Sequence, residues 1–289
     1  MMDIDIPLVP ATRLMEGAGV VVHRTIGTPA LRNLDPFLML DHFNSPRPGD
    51  YIAGFPDHPH RGFSTLTYLI EGHMLHRDSL GNEGDLVTGG AQWMKAARGV
   101  IHSEMPQQTE GRMSGFQLWV NLPAREKLSD PEYREILPGQ MALLPLPGGS
   151  GGEVRLIAGT WPTAQGEVQG PPLDPHTHLV SADITLHPGG TIEIPSSILA
   201  GRSAFAFLIS GEARVSGVAL AHETLAVLAT GESAPPPRSL SSGDRGARIF
   251  FASATPLKEP VAAYGPFVMN TKAQIDQAID DYRSGRLTR

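Results

Sequence analysis

Residues 55–63 read FPDHPHRGF, and His58 and His60 stand at i and i+2 across a single proline. Residues 97–105 read ARGVIHSEM and repeat that spacing with His102 and Glu104. Residues two apart on a strand point to the same face. Two such pairs on neighbouring strands, facing one interior, would bring three imidazoles and one carboxylate together. Neutral imidazole suits Fe, Ni, Cu, Zn and Mn, and one carboxylate adds charge balance and a harder donor. Four protein ligands out of six leave two positions open, which is what separates a catalytic from a closed structural site. A lone H-x-H is equally compatible with a turn that holds two histidines. The second pair tips the reading toward a metal.

The remaining histidines lack such a constellation. His176 and His178 form another H-x-H, but no partner pair follows, and a loop running into a strand accounts for them. His73 and His76 are three apart, so on a strand they face opposite sides; one can line a cavity, with no ligand role expected. His23 and His42 have no companions. Arg61, beside the HPH, reads as a rim ion pair sooner than as a group that closes the site. Phe55, Phe63, Trp93 and Met94 are candidates for apolar walls, and core packing explains them equally well. Gly99 suits a tight turn.

The elements that must carry these residues are strands. Ser64–Ile70, Phe116–Leu122, Val154–Ala158, Thr177–Leu186, Ser203–Ile209, Thr224–Leu228 and Arg248–Ala252 are rich in β-branched and apolar residues and are separated by Gly, Pro and Ser. The 32 glycines and 26 prolines are spread along the chain and fit many turns between short strands. Such spacing indicates an all-β sandwich or barrel. One helix is expected at the end: Thr271 and Gln274 fit a capping box, and Ile275, Ala278, Ile279 and Tyr282 fall on one face, suited to packing on a sheet. YLIEG at 68–72 resembles FLISG at 207–211, an internal repeat. The Gly/Pro-rich segment 144–151 marks the boundary, giving domains 1–148 and 149–289; residues 164–176 read as a surface loop. Moved by the repeat's offset, His58 falls on Ser197 and His60 on Leu199, so the second copy should hold no metal.

Composition narrows the function. No cysteine is present, which excludes disulfides, thiolate ligands and a thiol nucleophile. A net charge of -7 gives no electrostatic footprint for nucleic acid. No window approaches about 18 consecutive apolar residues, and MMDIDIPLVPATR lacks a basic n-region. A cytoplasmic protein without a membrane span is the expectation.

FPDHPHRGF, TYLIEG, QWMKAARGVIHSEMP, FQLWVNLP and YGPFVMNTKAQIDQAI resemble pirin signatures, and they extend over most of the chain. The resemblance implies a bicupin: two face-to-face cupin β-barrels of jelly-roll type with a short C-terminal helix, the metal in the N-terminal one. It implies His58, His60, His102 and Glu104 as ligands of one divalent transition metal, iron first, with Ni, Mn, Cu or Zn as alternatives. Pirins commonly carry Glu where Ser64 stands here, which puts any supporting role of that carboxylate in question. Some pirins show quercetin 2,3-dioxygenase activity. That activity implies a flavonol-like substrate and O2, Glu104 as the proton acceptor, opening of the heterocycle and release of CO. The competing reading is a metal-dependent regulator that binds a transcription factor or a metabolic enzyme. A monomer is expected in either case.

Overall fold

The structure, a computed structural model, describes residues 6–146, 151–231 and 235–289. Strands dominate, and the sole α-helix among the described residues is Lys272–Arg283. Its N-terminus is closed by the expected capping box between Thr271 and Gln274. Ile275 and Ala278 are buried, while Tyr282, at the far end of the apolar stripe, is exposed. The helix packs on the two-stranded ribbon Ala262–Tyr264 and Phe267–Met269.

The chain divides into two compact units. One contains 12–28, 37–138 and 257–289; the other contains 1–11, 29–36 and 139–256. The division in space therefore differs from a single cut near residue 148 at three segments, and most plainly at the two ends of the chain. Of the glycine-rich boundary segment, residues 147–150 lie outside the described residues.

The first unit is a sandwich. Its larger sheet runs Glu132–Ile136, Ala91–Lys95, Phe63–Glu71, Met113–Asn121, Phe37–Ser45, Val20–Arg24, Thr12–Glu16. Its smaller sheet runs Phe55–His60, Val100–Pro106, His73–Asp78, Glu83–Val87. Val22, Phe43, Leu69 and Met113 from the first meet Met74 and Leu86 from the second in one buried cluster. Each such side chain contributes about 1.5–3 kcal/mol by leaving water. Phe55–His60 is an edge strand, which is where Pro56 and Pro59 can stand without removing a ladder hydrogen bond.

The second unit is built mainly from one large sheet with its own core. The order is Leu8–Pro10, Thr224–Thr230, Ser203–Val215, Arg238–Ala254, Val180–Leu186, Gly152–Ala158, Ala142–Pro145. Alternate residues such as Val154, Leu156, Ala182, Ile184, Ile249 and Phe251 fill the interior. Among the described residues none of the sheets closes into a barrel, contrary to the expectation. The terminal strands Leu8–Pro10 and Ala142–Pro145 are short and carry Pro10 and Pro145, which lack the N–H that a closing ladder needs. Residues 164–176 are not all loop, because Thr160–Thr163 and Gly166–Gln169 pair as a ribbon.

Candidate metal centre

The Val100–Pro106 strand lies between Phe55–His60 and His73–Asp78. His102 is directly opposite His58 on one side and Asp78 on the other. Glu104 is opposite His76. A bulge between His102 and Glu104 shifts the pairing to the edge strand, so Glu104 meets Phe55 there. Two groups of candidate ligands result. His58, His60 and His102 form one, and His76, His102 and Glu104 form the other, with the ligand atoms of each group within 4.8 Å of one another. His102 belongs to both. The four residues named from sequence thus meet at His102, and Glu104 does so in company with a fifth residue, His76.

The imidazoles are in the form that binds metal. Burial holds His60 and His102 well below the usual imidazole range, and the neighbouring rings push the same way. Burial also lowers His58, partly offset by its hydrogen bond to the Pro56 carbonyl. That bond, at 2.8 Å, uses Nδ1 and leaves Nε2 to face the other rings. Nε2 of His102 is buried without a hydrogen-bond partner. The nitrogens of His60 likewise make no hydrogen bond of ordinary geometry, although the Pro266 carbonyl raises the ring's proton affinity. An unpaired buried ring nitrogen costs free energy unless something binds it. A metal ion is a group that these lone pairs fit.

Glu104 is built in with equal care. Burial pushes its carboxyl up to about 7, against the pull of Thr67, Gln92 and Gln117. Gln92 Nε2 donates to Oε1 at 2.5 Å, Thr67 Oγ1 donates to Oε1 at 3.0 Å, and Gln117 Nε2 donates to Oε2 at 2.8 Å. These three donors are cross-strand neighbours: Gln92 pairs with Thr67, and Thr67 with Gln117. One rung of the larger sheet therefore faces the carboxylate of the smaller one. Nothing in the local sequence of 67, 92 or 117 announces this, because only the register aligns them.

Phe63 and Trp119 stack at 4.2 Å, and both lie against His60, at 5.0 and 5.1 Å between ring centroids. Trp119 shares the face of Gln117 and was not singled out from sequence. Trp93, between Gln92 and Met94, points to the other face and is no part of this wall. Phe55 lies 6.5 Å from the ring of His58 and packs against the core cluster of its unit. Ser64 alternates with Thr65 and Thr67, so its side chain also lies on the face away from the site. A Glu at 64 would point away too.

The other residues flagged from sequence lie elsewhere. His73 makes a surface contact with Asp85 at 2.5 Å. His23 and His42 are cross-strand neighbours in the larger sheet. His176 and His178 sit in a turn capped by Asp174, and His178 is exposed with φ 52°. Arg61 points away from the imidazoles: it donates to the Arg98 and Leu287 carbonyls and to Asp281, the last at 2.8 Å. Gly99 has φ 151°, and a Cβ there would run into the Leu287 carbonyl, so this glycine serves both the turn and the docking of the tail.

In the second unit, Ser197 lies in a 3-10 turn at Ser196–Ile198 and Leu199 is a buried core residue. That unit has no imidazole pair at the equivalent place.

Residues 19–120 match the Pirin family, and residues 181–288 match the Pirin C-terminal cupin domain. A Pseudomonas aeruginosa protein, whose name gives quercetin 2,3-dioxygenase as a provisional assignment, is 46% identical over 94% of this chain and 93% of its own. The chain belongs to the pirin family. The pirin-like protein of Caulobacter vibrioides is 41% identical over 94% of each chain. Among solved structures, the crystal structure of quercetin 2,3-dioxygenase from Acinetobacter baumannii superposes with a TM-score of 0.83 at 29% identity, covering 97% of this chain and 96% of that one. Two cupin domains, mostly β, with one terminal helix, are the pirin architecture seen here. No helix among the described residues is long and apolar enough to cross a membrane.

Proposed function

We propose that this pirin is a metal-dependent flavonol 2,3-dioxygenase of the quercetinase type, with one divalent transition metal, iron by preference, held by His58, His60, His102 and Glu104. The observation that carries the reading is the meeting of three imidazoles, the half-buried His58 and the buried His60 and His102, beside a carboxylate fixed by three donors. The names of its relatives supply the reaction class. The metal, when bound, supplies Lewis-acid polarisation of the flavonol 3-hydroxyl. Glu104 is the candidate to accept that proton, as the carboxylate beside the imidazoles. Thr67, Gln92 and Gln117 hold its two oxygens in position while it does so. The stacked Phe63 and Trp119 give an apolar wall that keeps water from His60 and suits a planar aromatic substrate. Overall, O2 adds to the flavonol, the heterocycle opens and CO leaves.

The test is metal analysis of the purified protein, followed by anaerobic titration with quercetin and admission of oxygen. The expected result is about one metal per chain, loss of the flavonol absorbance on oxygenation and release of CO. Bound metal with no quercetin binding and no turnover overturns the enzyme reading and directs attention to protein partners. Retained cleavage in metal-depleted His58→Ala or His102→Ala protein would overturn the metal mechanism itself.

A further inference from the structure

His76 is buried, carries no ligand role in the sequence reading, and touches His102 directly. The two Nδ1 atoms lie 3.3 Å apart. Two protonated nitrogens at that distance would repel, and so would two bare lone pairs, so one proton lies between them. Which ring owns it follows from the far side of His76. There Nε2 faces Asp78 Oδ2 at 3.5 Å, and both side chains are fully buried. Asp78 also accepts from the backbone N–H groups of Leu80 and Asn82 and from Asn82 Nδ2, at 2.8–3.0 Å. A carboxylate oxygen only accepts, so the ring nitrogen that faces it is favourable only as an N–H. If His76 carries its proton on Nε2, its Nδ1 is bare and must accept. His102 must then be protonated on Nδ1, which leaves its Nε2 as the free lone pair. The opposite assignment sets the His76 lone pair against the carboxylate and puts the proton of His102 on the nitrogen that has no partner.

Tyr133 fixes the plane of His76. The rings stack at 4.4 Å and 17°. The Tyr133 hydroxyl donates to Gln92 Oε1 at 3.2 Å, and Gln92 in turn holds Glu104. One tyrosine thus braces both arms of the site. Both nitrogens of His76 are engaged, so it is not itself a ligand, even though it lies within reach of Glu104.

We propose that Asp78, His76 and His102 form a carboxylate–imidazole–imidazole relay in which His76 is a positioning residue that fixes His102 in the tautomer presenting Nε2 to the metal. The inference rests on the reading of His102 as a ligand. His58 achieves the same end with the Pro56 carbonyl. A ligating histidine whose other nitrogen is held in this way is oriented and made more basic, and loss of the supporting group costs about 10–100-fold in metal affinity.

The experiment is long-range 1H–15N correlation NMR of metal-free protein with labelled histidines, paired with Zn2+ and Fe2+ affinities by chelator competition. The expected spectrum has His102 protonated at Nδ1 and His76 at Nε2. His76→Phe is expected to lose about 10–100-fold in affinity. His76→Gln, whose side-chain carbonyl can accept the same proton, should recover part of it. A His102 protonated at Nε2 in the wild type overturns the relay, and that measurement depends on no variant folding. Unchanged affinity in His76→Phe overturns it as well. The underlying ligand reading fails separately, if His102→Ala leaves metal affinity intact.

Discussion

A buried histidine is stable when its nitrogens are paired, and the histidines of this chain differ in that respect. His58 has the Pro56 carbonyl, and His76 has His102 and Asp78. Nε2 of His102 and the ring nitrogens of His60 are buried without a hydrogen bond of ordinary geometry. Such an arrangement is strained without an ion, so metal should act on stability as well as on activity. His60→Ala is expected to cut metal affinity by at least about 100-fold, since it removes a ligand outright and not only a supporting group. It should also abolish the rise in melting temperature expected of the wild type when metal is added. Calorimetry with and without one equivalent of metal reads both effects. A variant that keeps the full metal-induced shift removes His60 from the ligand set.

At the scale of elements, what matters is which rung of one sheet faces which strand of the other. Gln92, Thr67 and Gln117 lie on three adjacent strands and converge on Glu104 because the register sets them side by side. Thr67 has a double role, donating to Glu104 and lying within 2.7 Å of Gln117 Oε1. Thr67→Val keeps the shape and removes the hydroxyl, taking one of three donors from Glu104. The expected cost is about 1–3 kcal/mol in stability and about 10-fold or more in metal affinity. Ser64→Val, on the same strand but on the other face, should leave metal affinity unchanged. Equal effects from the two variants would show that general packing, not the facing rung, supports the carboxylate.

At the scale of the molecule, the C-terminal segment belongs with the unit that carries the candidate metal centre. Phe267, Met269, Ile275, Ala278 and Leu287 form one buried cluster, with Ile101 packed against it. Lys127 ties this segment in. Its buried ammonium donates to the Gly62 carbonyl at 2.6 Å, to Asn121 Oδ1 at 2.5 Å and to the Val268 carbonyl at 3.0 Å. Burial pushes its pKa down to about 7, against a small upward pull from Glu259. A base lowered in this way binds fewer protons folded than unfolded between about 7 and its ordinary value near 10.4. Its contribution to stability therefore rises with pH through that window. Lys127→Met leaves the three acceptors unpaired and should cost at least about 2 kcal/mol at pH 9. The gap between wild type and variant should widen from pH 7 to pH 10 in denaturant titrations. A gap independent of pH would mean that the three oxygens retain the full ammonium charge across the window.

The sequence by itself determined whatever a strand fixes locally. Residues two apart share a face, so His58 with His60 and His102 with Glu104 could be paired on paper, as could the helix with its Thr271–Gln274 cap. The absence of histidines at Ser197 and Leu199 already marked the second cupin as lacking the imidazole pairs. The family motifs extended this reading to the bicupin. Tertiary structure decided everything that depends on register and on distant segments. His76 was set aside because spacing within its own strand says nothing about the strand beside it, yet it stands opposite Glu104 and in contact with His102. Thr67, Gln92 and Gln117 could not be recognised as a group, since cross-strand neighbours are set by the pairing of whole strands and not by any local pattern. Arg61 read as a rim ion pair and Gly99 as a turn glycine. Both also receive a C-terminal tail about two hundred residues further along the chain, because burial of apolar surface is indifferent to sequence distance.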